Sequence, residues 1–270
     1  MHPITTNAIE VGVGAVELRT GRLSHREVER YSRQMMVEGI GESGQRKLSN
    51  ATVAVMGIGG LGSPATMYLA AAGVGKIILV DYQAPDISNL NRQVLHWERD
   101  VAEGRSKVES AAWKARELNS DIEVVTKRIE VTKQNIEKVF AEADVILDCL
   151  DDFSPRYLLN DFCVREGVPF VHAAVEGFNG QITTILPGKT PCLKCLFPVE
   201  PPKKAVFPIV GVTAGVFGTL EAAEAFKLIS GIGEPLLSKL MVGDLLHDHW
   251  EIIEICRVDT CMVCGHGLRE

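Results

Sequence analysis

The stretch that decides the fold is "ATVAVMGIGGLGSPATMYLAAAGVGKIILVD", residues 51–81. An apolar strand over 52–56 runs into a glycine-rich turn. A helix follows over about 61–72, then a second apolar strand over 76–80 that ends on Asp81. The turn, "GIGGLG", satisfies G-x-G-x-x-G at Gly57, Gly59 and Gly62. Glycines there allow backbone angles and close approaches that a side chain blocks. The helix that follows offers free N–H groups and the positive end of its dipole to a phosphate. Asp81 stands at the distance expected of an acid that binds ribose hydroxyls. The pattern as a whole says nucleotide, and a nicotinamide dehydrogenase is the default rival.

Outward from this unit, apolar strand runs alternate with helical runs. A helix is expected from Ser24, an N-cap with Glu27 three residues on, and a second over "ESGQRKLSN". Past Asp81 come the helix "GRSKVESAAWKARELN", the strand "IEVVTKRI", the helix "TKQNIEKVFAEA", the strand "DVILDCL", the helix "SPRYLLNDFCVREG" and the strand "PFVHAAV". This order implies an α/β fold, a doubly wound, mostly parallel sheet. After Val175 a turn leads to a strand with no intervening helix, so antiparallel strands extend the sheet. "FPVEPPKKAVFP" reads as a mobile loop. "IVGVTAGVFGTLEAAEAFKLISG" reads as a small-residue helix, buried in the core or at a dimer interface. The tail supplies strands around "KLMVGDL" and "HWEIIEICRV". Residues 1–24 read as a loosely docked arm and residues 25–270 as one domain.

The chain has 270 residues, 46% of them hydrophobic and 23% charged, which suits a soluble globular protein. The net charge of −7 gives a nucleic-acid partner no electrostatic support. No signal-peptide order and no membrane-length apolar run is present, so the chain is expected to be cytoplasmic and without a membrane partner. Four of the seven cysteines form two C-x-x-C pairs, Cys192/Cys195 and Cys261/Cys264. Together they have the makings of a closed, four-thiolate structural zinc (Zn2+) site, redox or free thiols being the alternative. Cys149, Cys163 and Cys256 read as buried structural cysteines. His172 is expected to satisfy a local hydrogen bond. His96, His247, His249 and His266 lack metal-ligand spacing, with a turn expected at 247–249. Trp97, Trp113 and Trp250 read as packing residues.

Several polar residues fall at the carboxyl ends of predicted strands or at a helix start, the ligand-binding edge of an open parallel sheet. They are Asn89, Arg92, Gln93, Lys107, Asp151 and Asp152. A triphosphate attacked at its α-phosphate needs more positive charge than a dinucleotide does. Arg92 and Lys107 can supply it, and Asp151 can hold Mg2+ through oxygen ligands.

Taken together, "YSRQMMVEGIGESGQRKL", the glycine turn with its flanks, "SNLNRQ", "GRSKVES", "VILDCLDD", the "PCLKC…CMVC" pair and "GVFGTLEAAEAFKLISG" resemble the ThiF/MoeB/HesA adenylyltransferases, relatives of the ubiquitin-activating enzymes. The resemblance covers about residues 25–267. It implies that Gly60 lies against ATP, with Gly59 and Gly62 of the same turn also binding the nucleotide, and that Asp81 binds the ribose. Asn89, Arg92, Gln93 and Lys107 would surround the phosphates. Asp151 would hold Mg2+, with Asp152 beside it. Arg33 would reach across a homodimer interface to the partner's ATP. The implied reaction is adenylation of the C-terminal carboxylate of a ubiquitin-like sulfur carrier ending in two glycines, its tail passing under the Pro/Lys-rich loop. Some relatives carry a cysteine in that loop, and here none occurs between residues 196 and 255. The enzyme is therefore expected to stop at the adenylate, with sulfur coming from a donor protein in trans. A non-catalytic zinc-stapled dimer and an adenylating tRNA-modification enzyme remain alternatives.

Overall fold

The computed structural model describes residues 23–202 and 208–265. Residues 1–22 of the expected arm and residues 203–207 of the expected mobile loop, like His266, lie outside the described residues. The chain begins with α1 (His25–Met35) and α2 (Gly41–Asn50), followed by β1 (Thr52–Met56), α3 (Gly62–Ala72) and β2 (Lys76–Val80). A single 3-10 turn (Ile87–Asn89), α4 (Glu98–Ala102), α5 (Lys107–Leu118), β3 (Glu123–Lys127), α6 (Ile136–Phe140) and β4 (Val145–Asp148) come next. The rest is α7 (Phe153–Glu166), β5 (Phe170–Glu176), β6 (Asn179–Ile185), α8 (Leu193–Leu196), α9 (Gly211–Ser230), β7 (Lys239–Asp244) and β8 (His249–Glu254).

One sheet contains all eight strands, in the order β3-β2-β1-β4-β5-β6-β7-β8. The pairings from β3 to β5 are parallel and those from β5 to β8 antiparallel. The doubly wound sheet with an antiparallel extension is thus present as the strand and helix runs indicate. The chain builds outward from β1 through β2 and β3, then returns to place β4 on the other side of β1. That reversal opens a crevice beyond the carboxyl ends of β1 and β4, where ligands of such sheets bind.

The central strands are apolar throughout because both faces are covered. Val53 and Val55 point to one side with Ile77, Leu79 and Leu147, against Leu69 of α3 and Ala225 and Leu228 of α9. Ala54 and Met56 point to the other with Ile78 and Ile146, against Phe140, Leu159 and Phe162. The period-2 alternation along β1 therefore divides one strand between two cores.

Helix ends follow local chemistry. Ser24 caps α1 and Ser106 caps α5, each in a reciprocal capping box with Glu27 and Glu109 respectively. The sixth helix is shorter than its sequence suggests. Asn135 accepts the Thr132 N–H at 2.8 Å and donates to the Glu130 carbonyl at 2.9 Å, which closes a local loop and delays the helix. At the far edge β8 is exposed at every residue. Cys256, just beyond it, is exposed as well, which corrects the expectation of a buried cysteine: among the described residues no element covers this edge. Cys149 and Cys163 are buried as expected. Residues 245–248 form the turn expected near the two histidines, and His247 Nδ1 lies 2.7 Å from Asp244 Oδ2. Trp97 and Trp250 remain about half exposed, yet each packs on another ring, Trp97 on Trp113 and Trp250 on Phe217.

Candidate active site

The glycine turn lies at the crevice. Gly57 has φ +93°, and a Cβ there would stand 2.7 Å from the Cys149 carbonyl oxygen. A Cβ on Gly62 would stand 2.0 Å from the Gly57 oxygen, so the close return of α3 onto the turn excludes any side chain. Gly59 is different. Nothing lies nearer to its virtual Cβ than Gln93 Nε2 at 3.6 Å, so this position is kept open toward the crevice rather than filled by the protein. Gly60 faces the Arg92 side chain at 3.6 Å and Ala214 of α9 at 3.0 Å.

Around this open face the sheet edge gathers charge. Asp81 accepts the Ile58 N–H at 2.9 Å and the Gln83 N–H at 2.8 Å, one on each oxygen. Lys107, the first residue of α5, is buried, and its Nζ donates to Gln83 Oε1 at 2.6 Å. Burial pushes its pKa below the usual lysine value, while Asp81 and Asp151 pull it back up and Arg92 opposes them. Lys107, Asp81, Asp151 and Arg92 therefore share one electrostatic neighbourhood. Arg92 bends back onto the Ser88 carbonyl at 2.9 Å and Asn91 Oδ1 at 3.0 Å. Gln93 is buried, and its Oε1 has no hydrogen-bond partner. A buried amide oxygen left unpaired beside an open glycine is what a ligand site presents before its ligand is counted.

Two of the sequence-selected residues serve first as caps. Asn89 Oδ1 accepts the Asp86 N–H at 3.1 Å, and Asp152 Oδ1 accepts the Ser154 N–H at 3.3 Å at the start of α7. Asp151 beside it is exposed. Arg33 is not brought to this crevice by its own chain. Its helix packs at the opposite edge of the sheet: Tyr31 meets Gly73 and Asn119, and Arg26 pairs with Asp121, all just ahead of β2 and β3.

Sequence reasoning missed the buried polar network behind the Asp151 loop. His172 Nδ1 lies 2.7 Å from Asp148 Oδ2, which confirms a local hydrogen bond for that histidine. Arg156 lies beside the same ring and donates to the Leu150 carbonyl, one residue before Asp151. Burial, then the Arg156 charge, lowers the His172 pKa. Next to them the Cys149 thiol donates to Glu221 Oε2 of α9 at 3.2 Å, and burial pushes the Glu221 carboxyl well above its usual range. The only sequence signal for this network is an arginine one turn inside a helix that starts at a strand's carboxyl end.

The four C-x-x-C sulfurs converge, all within 4.8 Å of one another. Cys192 and Cys261 are 3.7 Å apart, and Cys195 and Cys264 are 3.4 Å apart. Tetrahedral four-thiolate coordination requires sulfurs about 3.8 Å apart, so the cluster fits a metal ion. No hydrogen bond or ion pair joins it to the crevice among the described residues.

A doubly wound sheet, an open glycine at its switch point and a buried lysine flanked by acids define a nucleotide-binding enzyme. Residues 31–263 match the ThiF family, and the chain belongs to it. It is similar to the SAMP-activating enzyme E1 of Haloferax volcanii, 42% identical over 246 residues, covering 89% of this chain and 90% of that one. It is also 42% identical to the heterocyst HesA protein of Trichormus variabilis, over 90% of this chain and 91% of that one. The adenylyltransferase and sulfurtransferase MOCS3 of Sus scrofa is 41% identical over 90% of this chain, which spans 54% of the pig protein. Among solved structures, E. coli MccB with MccA-N7isoASN superimposes with TM-score 0.80 at 29% identity, covering 87% of this chain and 75% of that one. The protein is accordingly an ATP-using adenylyltransferase, and the nicotinamide dehydrogenase reading falls away. No helix among the described residues is long and apolar enough to cross a membrane.

Proposed function

We propose that this enzyme adenylates the C-terminal carboxylate of a ubiquitin-like sulfur-carrier protein, one ending in two glycines. The relatives support the substrate class: one is named for activating SAMP and another for adenylyl and sulfur transfer. The observation that carries the reading is the glycine turn, with Gln93 3.6 Å from the open Gly59 position and Arg92 3.6 Å from that of Gly60, Arg92 in turn sharing the electrostatic surroundings of buried Lys107 with Asp81 and Asp151.

The carrier's carboxylate oxygen attacks the α-phosphorus of ATP. The bond from that phosphorus to the bridging oxygen breaks, pyrophosphate leaves, and an acyl-adenylate remains. No proton has to move, so positioning and charge stabilisation dominate. Asp81 holds the ribose. The start of α3 and the glycine backbone receive phosphate oxygens, and Gln93, Lys107 and Arg92 surround the charge that builds on the leaving group. The two caps, Asn89 and Asp152, keep the Arg92 and Asp151 loops in shape. Asp151 would hold Mg2+, which supplies charge neutralisation on the triphosphate when bound.

As the family resemblance implies, Arg33 serves the site of a second copy and the working unit is a homodimer; the position of its helix, away from its own crevice, is compatible with that. The thiolate cluster holds structural zinc and ties the segment around Cys261 to that around Cys192. With no cysteine between residues 196 and 255, sulfur is delivered by another protein after adenylation, in the cytoplasm.

The test is exchange of labelled pyrophosphate into ATP. Exchange should require a carrier with an intact C-terminus. Arg92→Ala, Lys107→Met and Asp151→Ala should each reduce it about a hundredfold or more while thermal unfolding stays cooperative. Undiminished exchange in the three folded variants would refute these roles.

A further inference from the structure

The residue between the first two glycines of the turn is held at both of its backbone polar groups. The Ile58 N–H donates to Asp81 Oδ2 at 2.9 Å, and the Ile58 carbonyl lies 2.8 Å from His96 Nε2. The Ile58 side chain is fully buried and His96 is 3% exposed. A carbonyl oxygen only accepts, so His96 carries its proton on Nε2. Its Nδ1 is then the acceptor for the Ser110 hydroxyl, 3.0 Å away. Asp100 Oδ2 lies 2.9 Å from the same hydroxyl and competes for its proton. Lys114 holds this cluster together: its ammonium bonds the Asp100 carboxylate and donates to Ser110 Oγ at 2.9 Å, while the Leu95 carbonyl lies 3.2 Å from the same hydroxyl. Burial also lowers the His96 pKa, with Lys107 and Lys114 adding to the effect and the Ile58 hydrogen bond and Asp100 opposing it.

The consequence lies on the other side of the peptide plane. In a trans peptide the carbonyl and the following N–H point in opposite directions. No cis bond occurs among the described residues. With the Ile58 carbonyl drawn onto buried His96, the Gly59 N–H is turned the opposite way, away from that histidine.

We propose that His96 is a positioning residue for the nucleotide turn, which it orients through the Ile58 carbonyl so that the Gly59 N–H is presented to a phosphate oxygen of ATP. The acceptor-only Ile58 carbonyl requires the proton on Nε2, and Ser110, bonded to Asp100 and Lys114, backs the other ring nitrogen. The proposal rests on the reading of this turn as the ATP site. Without the clamp, the Ile58–Gly59 peptide, flanked by two glycines, is free to rotate, and the donor has to be ordered by the ligand itself.

Three variants separate this role from simple core packing. The amide nitrogen of His96→Gln reaches the place of Nε2, that of His96→Asn reaches only the place of Nδ1, and His96→Leu has neither. Melting temperature, ATP affinity without carrier and hydrogen–deuterium exchange of the 57–60 backbone amides are measured on each full-length protein. Leu and Asn variants should bind ATP about tenfold or more weakly, the loss of one hydrogen bond to a charged group, and exchange faster in the turn than at other protected amides. The Gln variant should recover most of the affinity and protection even if its melting temperature matches that of the Asn variant. Equal losses in Gln and Asn variants, or wild-type turn protection in the Leu variant, would overturn the clamp. Failure of the wild-type protein to bind ATP would overturn the nucleotide reading instead, and the exchange data would still decide the clamp.

Discussion

Cys149 and Glu221 face each other at 3.2 Å across the interface between β4 and α9, thiol to carboxyl, with Glu221 wholly buried. Burial raises the Glu221 pKa, and the Asp148 charge adds to the rise; the Cys149 hydrogen bond and Arg156 offset only part of it. The side chain is therefore a neutral acid in the folded protein.

The sign of the pH effect follows. The unfolded chain releases the Glu221 proton near pH 4.5 and the folded protein holds it, so this residue removes stability as pH rises above that value. Glu221→Gln keeps the shape and has no proton to lose. The melting temperature of the Gln variant relative to wild type should climb steadily between about pH 5 and pH 8. A difference independent of pH would show that Glu221 is ionised in the fold. Glu221→Ala, which leaves a cavity and an unpaired thiol, should cost about 2–4 kcal/mol in denaturant unfolding.

The thiolate cluster makes a separate prediction. The purified protein should contain one zinc per chain by elemental analysis. Cys264→Ser should lower the melting temperature by roughly 5–10 °C and open the segment after β8 to proteolysis. ATP affinity should change far less, because no hydrogen bond or ion pair among the described residues joins the cluster to the crevice. A zinc-free protein of wild-type stability would remove the structural role.

The place of Arg33 can be tested by complementation. Arg33→Ala and Asp151→Ala homodimers should both be inactive. After mixing and subunit exchange, half of the dimers are mixed and each contains one intact site, so about one quarter of wild-type exchange activity should return. No recovery, with mixed dimers demonstrated, would place Arg33 outside the reaction.

How much of this was legible in the sequence depended on the direction in which each residue faces. The fold was legible because the four-to-five-residue apolar runs of β1, β2 and β4 are buried on both faces, and the turn between β1 and α3 cannot be built without Gly57 and Gly62. The charged neighbourhood of Asp81, Lys107 and Asp151 was legible because such groups gather where strands end and helices begin, at the carboxyl edge of an open parallel sheet. Capping roles were not read from the sequence, although they call for the same short oxygen-bearing side chains as ligand contacts: Asn89 and Asp152 satisfy backbone N–H groups. The interior polar networks were not legible. Glu221 stands in "LEAAEAF" as an ordinary helical charge, and Lys114 in "WKAREL" as an exposed one. Only packing against β4 and α4 reveals that both are buried. Cys256 failed in the opposite sense, because apolar neighbours on an edge strand imply a cover that the fold does not supply.

The most direct test of adenylation by this crevice is the mass of the product. The enzyme is incubated with ATP, Mg2+ and a ubiquitin-like sulfur carrier whose C-terminus is intact, with pyrophosphatase present, and the carrier is then weighed by mass spectrometry. The account predicts a carrier heavier by one AMP less water, formed with the wild-type enzyme, absent with Lys107→Met, and absent when the two terminal glycines are removed. A carrier that stays unmodified while ATP is bound and pyrophosphate never appears would contradict it.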